Sequence, residues 1–120
     1  MERRKILVVD DEAGVRASLK MIFKDNYTVL EAGSGAEALK ILQNTRPDVI
    51  LLDLIMSNIS GIDVLKQIKR ISKQIPVIVI TAIRNTDMME EAIGLDAFSY
   101  LIKPFVVTEL EQSVQRALGV

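Results

Sequence analysis

The sequence predicts an α/β fold, (βα)5, in which five parallel strands form one doubly wound sheet with helices on both faces. Three observations predict it. Apolar runs rich in Val and Ile alternate five times with segments of helical period. The first, third and fourth runs are nearly continuous, as strands buried on both faces should be. Parallel neighbours need right-handed helical crossovers, so this alternation leads to an open sheet covered on both sides. At 120 residues the expectation is one domain, spanning 1–120, with a single core. The common strand order for such a sheet is 2-1-3-4-5.

Each element follows from its residues. The first run, Ile6–Val9, ends in Asp10-Asp11-Glu12, and Val15, Leu19, Ile22 and Phe23 then form one apolar helical face. The second run, Tyr27–Glu31, leads to Ser34 and Glu37, spaced as a capping box ahead of Ala38, Leu39 and Leu42. The third, Val49–Leu52, stops at Asp53, and Leu65 with Ile68 mark the helix that follows. The fourth, Pro76–Ile80, reaches Thr81 before a helix carrying Met89, Ala92 and Ile93 on its expected inner face. The fifth, Phe98–Ile102, runs into Lys103-Pro104. Thr108 and Glu111 fit a second capping box, opening a helix with Leu110, Val114, Ala117 and Leu118 on one face.

Composition narrows the chemistry. Net charge is −1, so no bulk attraction to nucleic acid or to an anionic membrane is expected. No apolar run approaches the roughly 18 residues of a membrane span, and no leader pattern opens the chain. Cysteine is absent, which excludes disulfides and thiolate metal sites and makes a cytoplasmic address the expectation. Histidine is absent too, so zinc-histidine sites, Ser-His triads and an internal phosphohistidine relay are excluded. Carboxylate, hydroxyl and lysine chemistry remain.

Ligands of such sheets sit beyond the carboxyl ends of the strands. Asp10, Asp11 and Glu12, then Asp53, Thr81 and Lys103 all fall there, from four separate segments. Each has an ordinary use of its own, as a helix-start acid, a strand-end hydroxyl or a solvated lysine. Asp53 is the hardest to assign that way, because VILLDLIM sets it among seven apolar residues, where an unpartnered carboxylate is costly. Three acids converging on one rim repel one another unless a cation sits among them. Oxygen ligands with open positions suit Mg²⁺, which binds one or two carboxylates plus a phosphate oxygen. Lys103 and the Thr81 hydroxyl would address the remaining anionic oxygens. The set amounts to a phosphoryl-transfer site with Asp53 as acceptor.

The residues that carry these features also carry a resemblance. ILVVDDE, DVILLDLIMSNISG, PVIVITA and AFSYLIKPF, in this order, resemble the receiver domain of two-component response regulators, the CheY-like superfamily. That resemblance covers essentially the whole chain and implies a flavodoxin-like fold. It implies Mg²⁺, with Mn²⁺ able to substitute, held by Asp11, Asp53 and the carbonyl of Ile55, with Asp10 acting through water. Asp53 would take a phosphoryl group from a histidine of a sensor kinase or phosphotransfer protein. Thr81, Lys103 and the Ala82 amide would bind the phosphoryl oxygens, and Lys103-Pro104 would be a cis peptide that aims the lysine. Tyr100 would be an aromatic switch coupled to Thr81, acting on the surface of the fourth helix, fifth strand and fifth helix. Phosphorylation-dependent homodimers would form there. The chain would not be a conventional enzyme; it would catalyse its own phosphorylation and a slow autodephosphorylation. Ile55 and Ile83, flanking the approach of water, would tune that lifetime.

Ser57 stands where the family usually has proline, so the loop after Asp53 is expected to be less rigid. Asp96 stands where it usually has glycine, so the fourth helix is expected to end shifted or strained. Val106-Val107 is more apolar than expected and marks a contact surface. A receiver-like interaction module without phosphotransfer ranks second. A haloacid-dehalogenase-like, Mg²⁺-dependent aspartyl phosphatase ranks lower, because it needs an acid where Ile55 stands. A flavin or nucleotide module ranks last, because Asp10-Asp11-Glu12 has the wrong charge for a phosphate loop.

Overall fold

The computed structural model describes residues 3–56 and 60–120. Five strands and five helices alternate: β1 Lys5–Val9, α1 Ala13–Phe23, β2 Thr28–Ala32, α2 Gly35–Asn44 and β3 Val49–Leu52 come first. They are followed by α3 Gly61–Ile71, β4 Val77–Thr81, α4 Thr86–Gly94, β5 Ser99–Ile102 and α5 Val107–Leu118. All pairings are parallel and the order is β2-β1-β3-β4-β5, as expected.

Alternate strand residues serve opposite faces, because successive side chains of a strand point in opposite directions. Leu7, Val9, Ile50, Leu52, Val77 and Val79 pack with α2, α3 and α4, through Ala38, Leu42, Leu65, Ile68 and Ala92. Ile6, Val8, Val49, Leu51, Ile78 and Ile80 pack with α1 and α5, through Leu19, Phe23, Leu110 and Val114. The three central strands are therefore buried on both sides, and their polar residues are confined to the ends. Register then aligns those ends: Val9 pairs with Leu52, Leu52 with Val79, and Thr81 with Ile102.

Several local expectations need correction. Ser34 caps α2 by accepting from the Glu37 amide at 3.1 Å. The second box does not form, because α5 begins one residue before Thr108, with Val106 as its uncapped N-terminal neighbour. Ser60 and Asn85 cap α3 and α4 instead, accepting from Ile62 and from Asp87 and Met88. Ile93 is 56% exposed; α4 is short and buries Ala92 alone. The basic start has a structural use. Arg3 donates to the Lys24 carbonyl and Arg4 to the Leu118 carbonyl, closing the C-terminal ends of α1 and α5. Ser57 lies outside the described residues.

The end of α4 explains Asp96. The Asp96 amide donates to the Ile93 carbonyl at 2.9 Å, and the Ala97 amide to the Ala92 carbonyl at 3.0 Å. This is a Schellman closure, which needs a left-handed residue, and Asp96 adopts φ 66° to supply it. Gly119 makes the same closure after α5 with φ 74°. A left-handed L-residue costs about 1–2 kcal/mol, whereas the exposed Asp96 offers Lys69 an attraction worth less than about 1 kcal/mol. Asp96→Gly is therefore expected to stabilise the fold by about 0.5–1 kcal/mol, read as a higher urea midpoint with an unchanged slope. A midpoint at or below that of the parent would contradict the strain assigned to this residue.

Candidate phosphoryl-transfer site

The rim beyond β1, β3, β4 and β5 gathers the polar residues that the strands cannot bury. Asp10 and Asp53 are 2% and 5% exposed, so each carboxylate needs partners inside the protein. Lys103 supplies both. Its Nζ donates to Asp10 Oδ2 at 2.8 Å and to Asp53 Oδ2 at 2.9 Å. The remaining oxygens take backbone amides two residues on, Glu12 N to Asp10 Oδ1 at 2.9 Å and Ile55 N to Asp53 Oδ1 at 3.0 Å. Among the described residues, no buried side-chain nitrogen or oxygen lacks a partner.

Burial pushes the Asp10 carboxyl up from its ordinary value, against the Lys103 and Glu12 hydrogen bonds, and the nearby Asp53 adds to the rise. Burial acts to lower the Lys103 ammonium, but its hydrogen bonds to Asp10 and Asp53 outweigh that and raise it. By charge count, the two carboxylates outnumber the one lysine that they share. Carboxylate oxygens of Asp10, Asp11 and Glu12 all lie within 4.8 Å of one another, with Asp10 buried and the other two exposed. Oxygen-only donors, a crowded negative charge and solvent-facing acids fit a hard divalent cation such as Mg²⁺. Glu12 is the member that the sequence places on this rim but not among the cation ligands; its signal is adjacency to the acid pair.

Thr81 is fully buried at the end of β4, and its Oγ1 faces the Ile83 amide at 3.4 Å. The Lys103 amide donates to the Thr81 carbonyl at 2.9 Å, which ties the hydroxyl strand to the lysine strand. The Lys103-Pro104 peptide is cis. Tyr100 is half-buried, and its hydroxyl donates to the Ile83 carbonyl at 3.0 Å. Burial, then the charge of Asp53, raises the Tyr100 phenol. Tyr100 and Thr81 thus share one segment, residues 81–83. Ile55 is 51% exposed, its amide on Asp53, and Ile83 packs against the core.

Sequence reasoning did not single out Gly61. A Cβ there would lie 2.2 Å from Leu54 Cα and 2.8 Å from the Asp53 carbonyl. The start of α3 is pressed onto the backbone that carries Asp53, and only glycine allows that approach. A cavity of about 520 Å³ opens beside Lys103, lined by Glu12, Val15, Ala82, Pro104 and Phe105.

A family model described as the response regulator receiver domain matches residues 6–115. Sporulation initiation phosphotransferase F of Bacillus subtilis is 39% identical, over 98% of this chain and 96% of its own length. Response regulator MprA of a Mycobacterium species is 40% identical over 88% of this chain, which spans only 46% of that protein. Among solved structures, chemotaxis protein CheY4 of Vibrio cholerae superposes with a TM-score of 0.90 and 30% identity. That match covers 97% of this chain and 99% of the other. A receiver domain protein from Methanospirillum hungatei superposes with a TM-score of 0.95 at 22% identity, a likeness of fold.

Proposed function

The chain belongs to the response regulator receiver domain family, and from that premise we propose that it accepts a phosphoryl group on Asp53. The family implies phosphorylation-dependent two-component signalling, so the donor is a phosphohistidine of a sensor kinase or phosphotransfer protein. The observation that carries this reading is the single Lys103 ammonium shared between the Asp10 and Asp53 carboxylates.

Asp11, Asp53 and the Ile55 carbonyl would hold Mg²⁺ or Mn²⁺, with Asp10 acting through water. A cation held by these residues would supply charge neutralisation at the acceptor and the incoming phosphoryl oxygens. The chain's own residues do the rest. An Asp53 oxygen attacks phosphorus, an O–P bond forms, and the electron pair of the broken P–N bond returns to the donor imidazole. The Asp53 side chain is already oriented by the Ile55 amide, which removes rotational freedom before the attack. Lys103 exchanges a carboxylate for a phosphoryl oxygen, keeping its charge paired throughout. The Thr81 hydroxyl and the Ala82 amide bind the other oxygens. The resulting acyl phosphate hydrolyses slowly, so the chain acts on itself and is not a conventional enzyme.

Thr81 carries the consequence outward. A Thr81 shift toward the phosphoryl group moves residues 81–83, and the Ile83 carbonyl carries the Tyr100 hydroxyl with it. The surface of α4, β5 and α5 changes, and homodimers form there. Exposed Val106 and Val107, next to the cavity at Pro104 and Phe105, supply the apolar face for the histidine-bearing partner. We place the chain in the cytoplasm, as one receiver unit over 1–120; no described helix is long and apolar enough to cross a membrane.

Beryllofluoride, a stable phosphoryl mimic, tests acceptor and switch together. With Mg²⁺ it is expected to slow or speed amide exchange over α4, β5 and α5 in the parent and to change nothing in Asp53→Asn. Identical exchange in the parent with and without the mimic would refute the switch.

A further inference from the structure

Arg16, in the first turn of α1, is only 20% exposed. Its Nη1 donates to the Asp10 carbonyl at 2.6 Å, and its Nε faces Glu31 Oε1 at 3.4 Å. Glu31 lies on β2 opposite Val8, so one guanidinium ties α1 to the end of β1 and to β2. The other groups of Asp10 are also held. Its amide donates to the Ala32 carbonyl at 3.1 Å, and its two carboxylate oxygens take Glu12 N and Lys103 Nζ. The Asp10 carbonyl belongs to the peptide that joins Asp10 to Asp11. A planar peptide cannot turn its carbonyl without turning its N–H and the next Cα. A hydrogen bond at this carbonyl therefore sets the direction in which Asp11 leaves the strand. Gly33 leaves room for the guanidinium: a Cβ there would lie 3.2 Å from Arg16 Nη1.

We propose that Arg16 is a positioning residue that orients the Asp10–Asp11 peptide and thereby sets the affinity of the acidic rim for a divalent cation. This rests on the reading of Asp11 as a cation ligand. Charge alone works in the opposite direction, because a cation beside the rim repels a second one, an effect that Glu31 partly neutralises. Loss of orientation weakens cation binding, whereas loss of charge tightens it. The two accounts differ in sign.

Titration calorimetry with MgCl₂ on the whole chain separates them, at a temperature where circular dichroism shows each variant folded. Arg16→Ala and Arg16→Lys are both expected to bind Mg²⁺ about tenfold more weakly than the parent. Lysine keeps the charge but lacks the planar fork that serves the Asp10 carbonyl and Glu31 together. Gly33→Ala, which crowds the guanidinium without altering any charge, is expected to weaken binding by a smaller factor and carries the test if an Arg16 variant fails to fold. Unchanged or tighter Mg²⁺ binding in these variants overturns the role of Arg16 alone. Failure of the parent to bind Mg²⁺ overturns the cation-site reading as well.

Discussion

Phosphorylated protein isolated in Mg²⁺ is expected to lose its phosphate at least tenfold more slowly than an Ile55→Asn, Ile83→Glu double variant. Hydrolysis needs a water in line with the acyl-phosphate bond, and these two side chains stand two residues after Asp53 and two after Thr81. Their backbones are tied into the site, Ile55 N on Asp53 Oδ1 and Ile83 N facing Thr81 Oγ1. Neither side chain can donate or accept a hydrogen bond, so neither of these two holds or orients water. One lost orienting contact of about 1.4 kcal/mol slows the step about tenfold, and two positions compound it. A slow reset would suit sustained output and require a phosphatase for rapid reset. Phosphate release followed over time decides the matter. Equal rates in parent and variant would show that the apolar pair is not the brake.

Gly61→Ala is expected to cost about 3 kcal/mol of stability, the upper end of the overpacking range. The added Cβ would meet Leu54 Cα at 2.2 Å and the Leu54 carbonyl at 2.7 Å. Both are backbone atoms, which cannot rotate away as a side-chain end can. Gly61 N also donates to that same carbonyl at 3.1 Å, so relief by moving α3 breaks a hydrogen bond. Relief by moving the Asp53–Leu54 segment shifts the proposed acceptor instead. The variant is therefore expected to lose both urea midpoint and rate of labelling by acetyl phosphate. A midpoint within experimental error of the parent would contradict the close approach described here.

The architecture and the placement of the polar rim were legible because the central strands are apolar on both faces. Where every side chain is buried, the first polar residue after the run marks the strand end, and Asp10, Asp53 and Thr81 do so. Parallel register then brings those ends together without further information. Helix starts were less legible, because Ser60, Asn85 and Thr108 all belong to the capping class and only backbone direction chooses among them. Ile93 fitted an apolar period, yet α4 is short and turns that residue to solvent. Arg3, Arg4, Arg16 and Gly61 act through backbone carbonyls that the fold brings near them, and carbonyls leave no mark in a sequence.

Asp53 is the proposed phosphoryl acceptor, and every role assigned to the rim depends on it. Acetyl phosphate with Mg²⁺, followed by borohydride reduction and peptide mass mapping, tests it directly, because borohydride converts an aspartyl phosphate to homoserine. The expected result is homoserine at position 53 alone, requiring both acetyl phosphate and Mg²⁺. Reduction product at another aspartate, or none after complete digestion, would contradict the assignment.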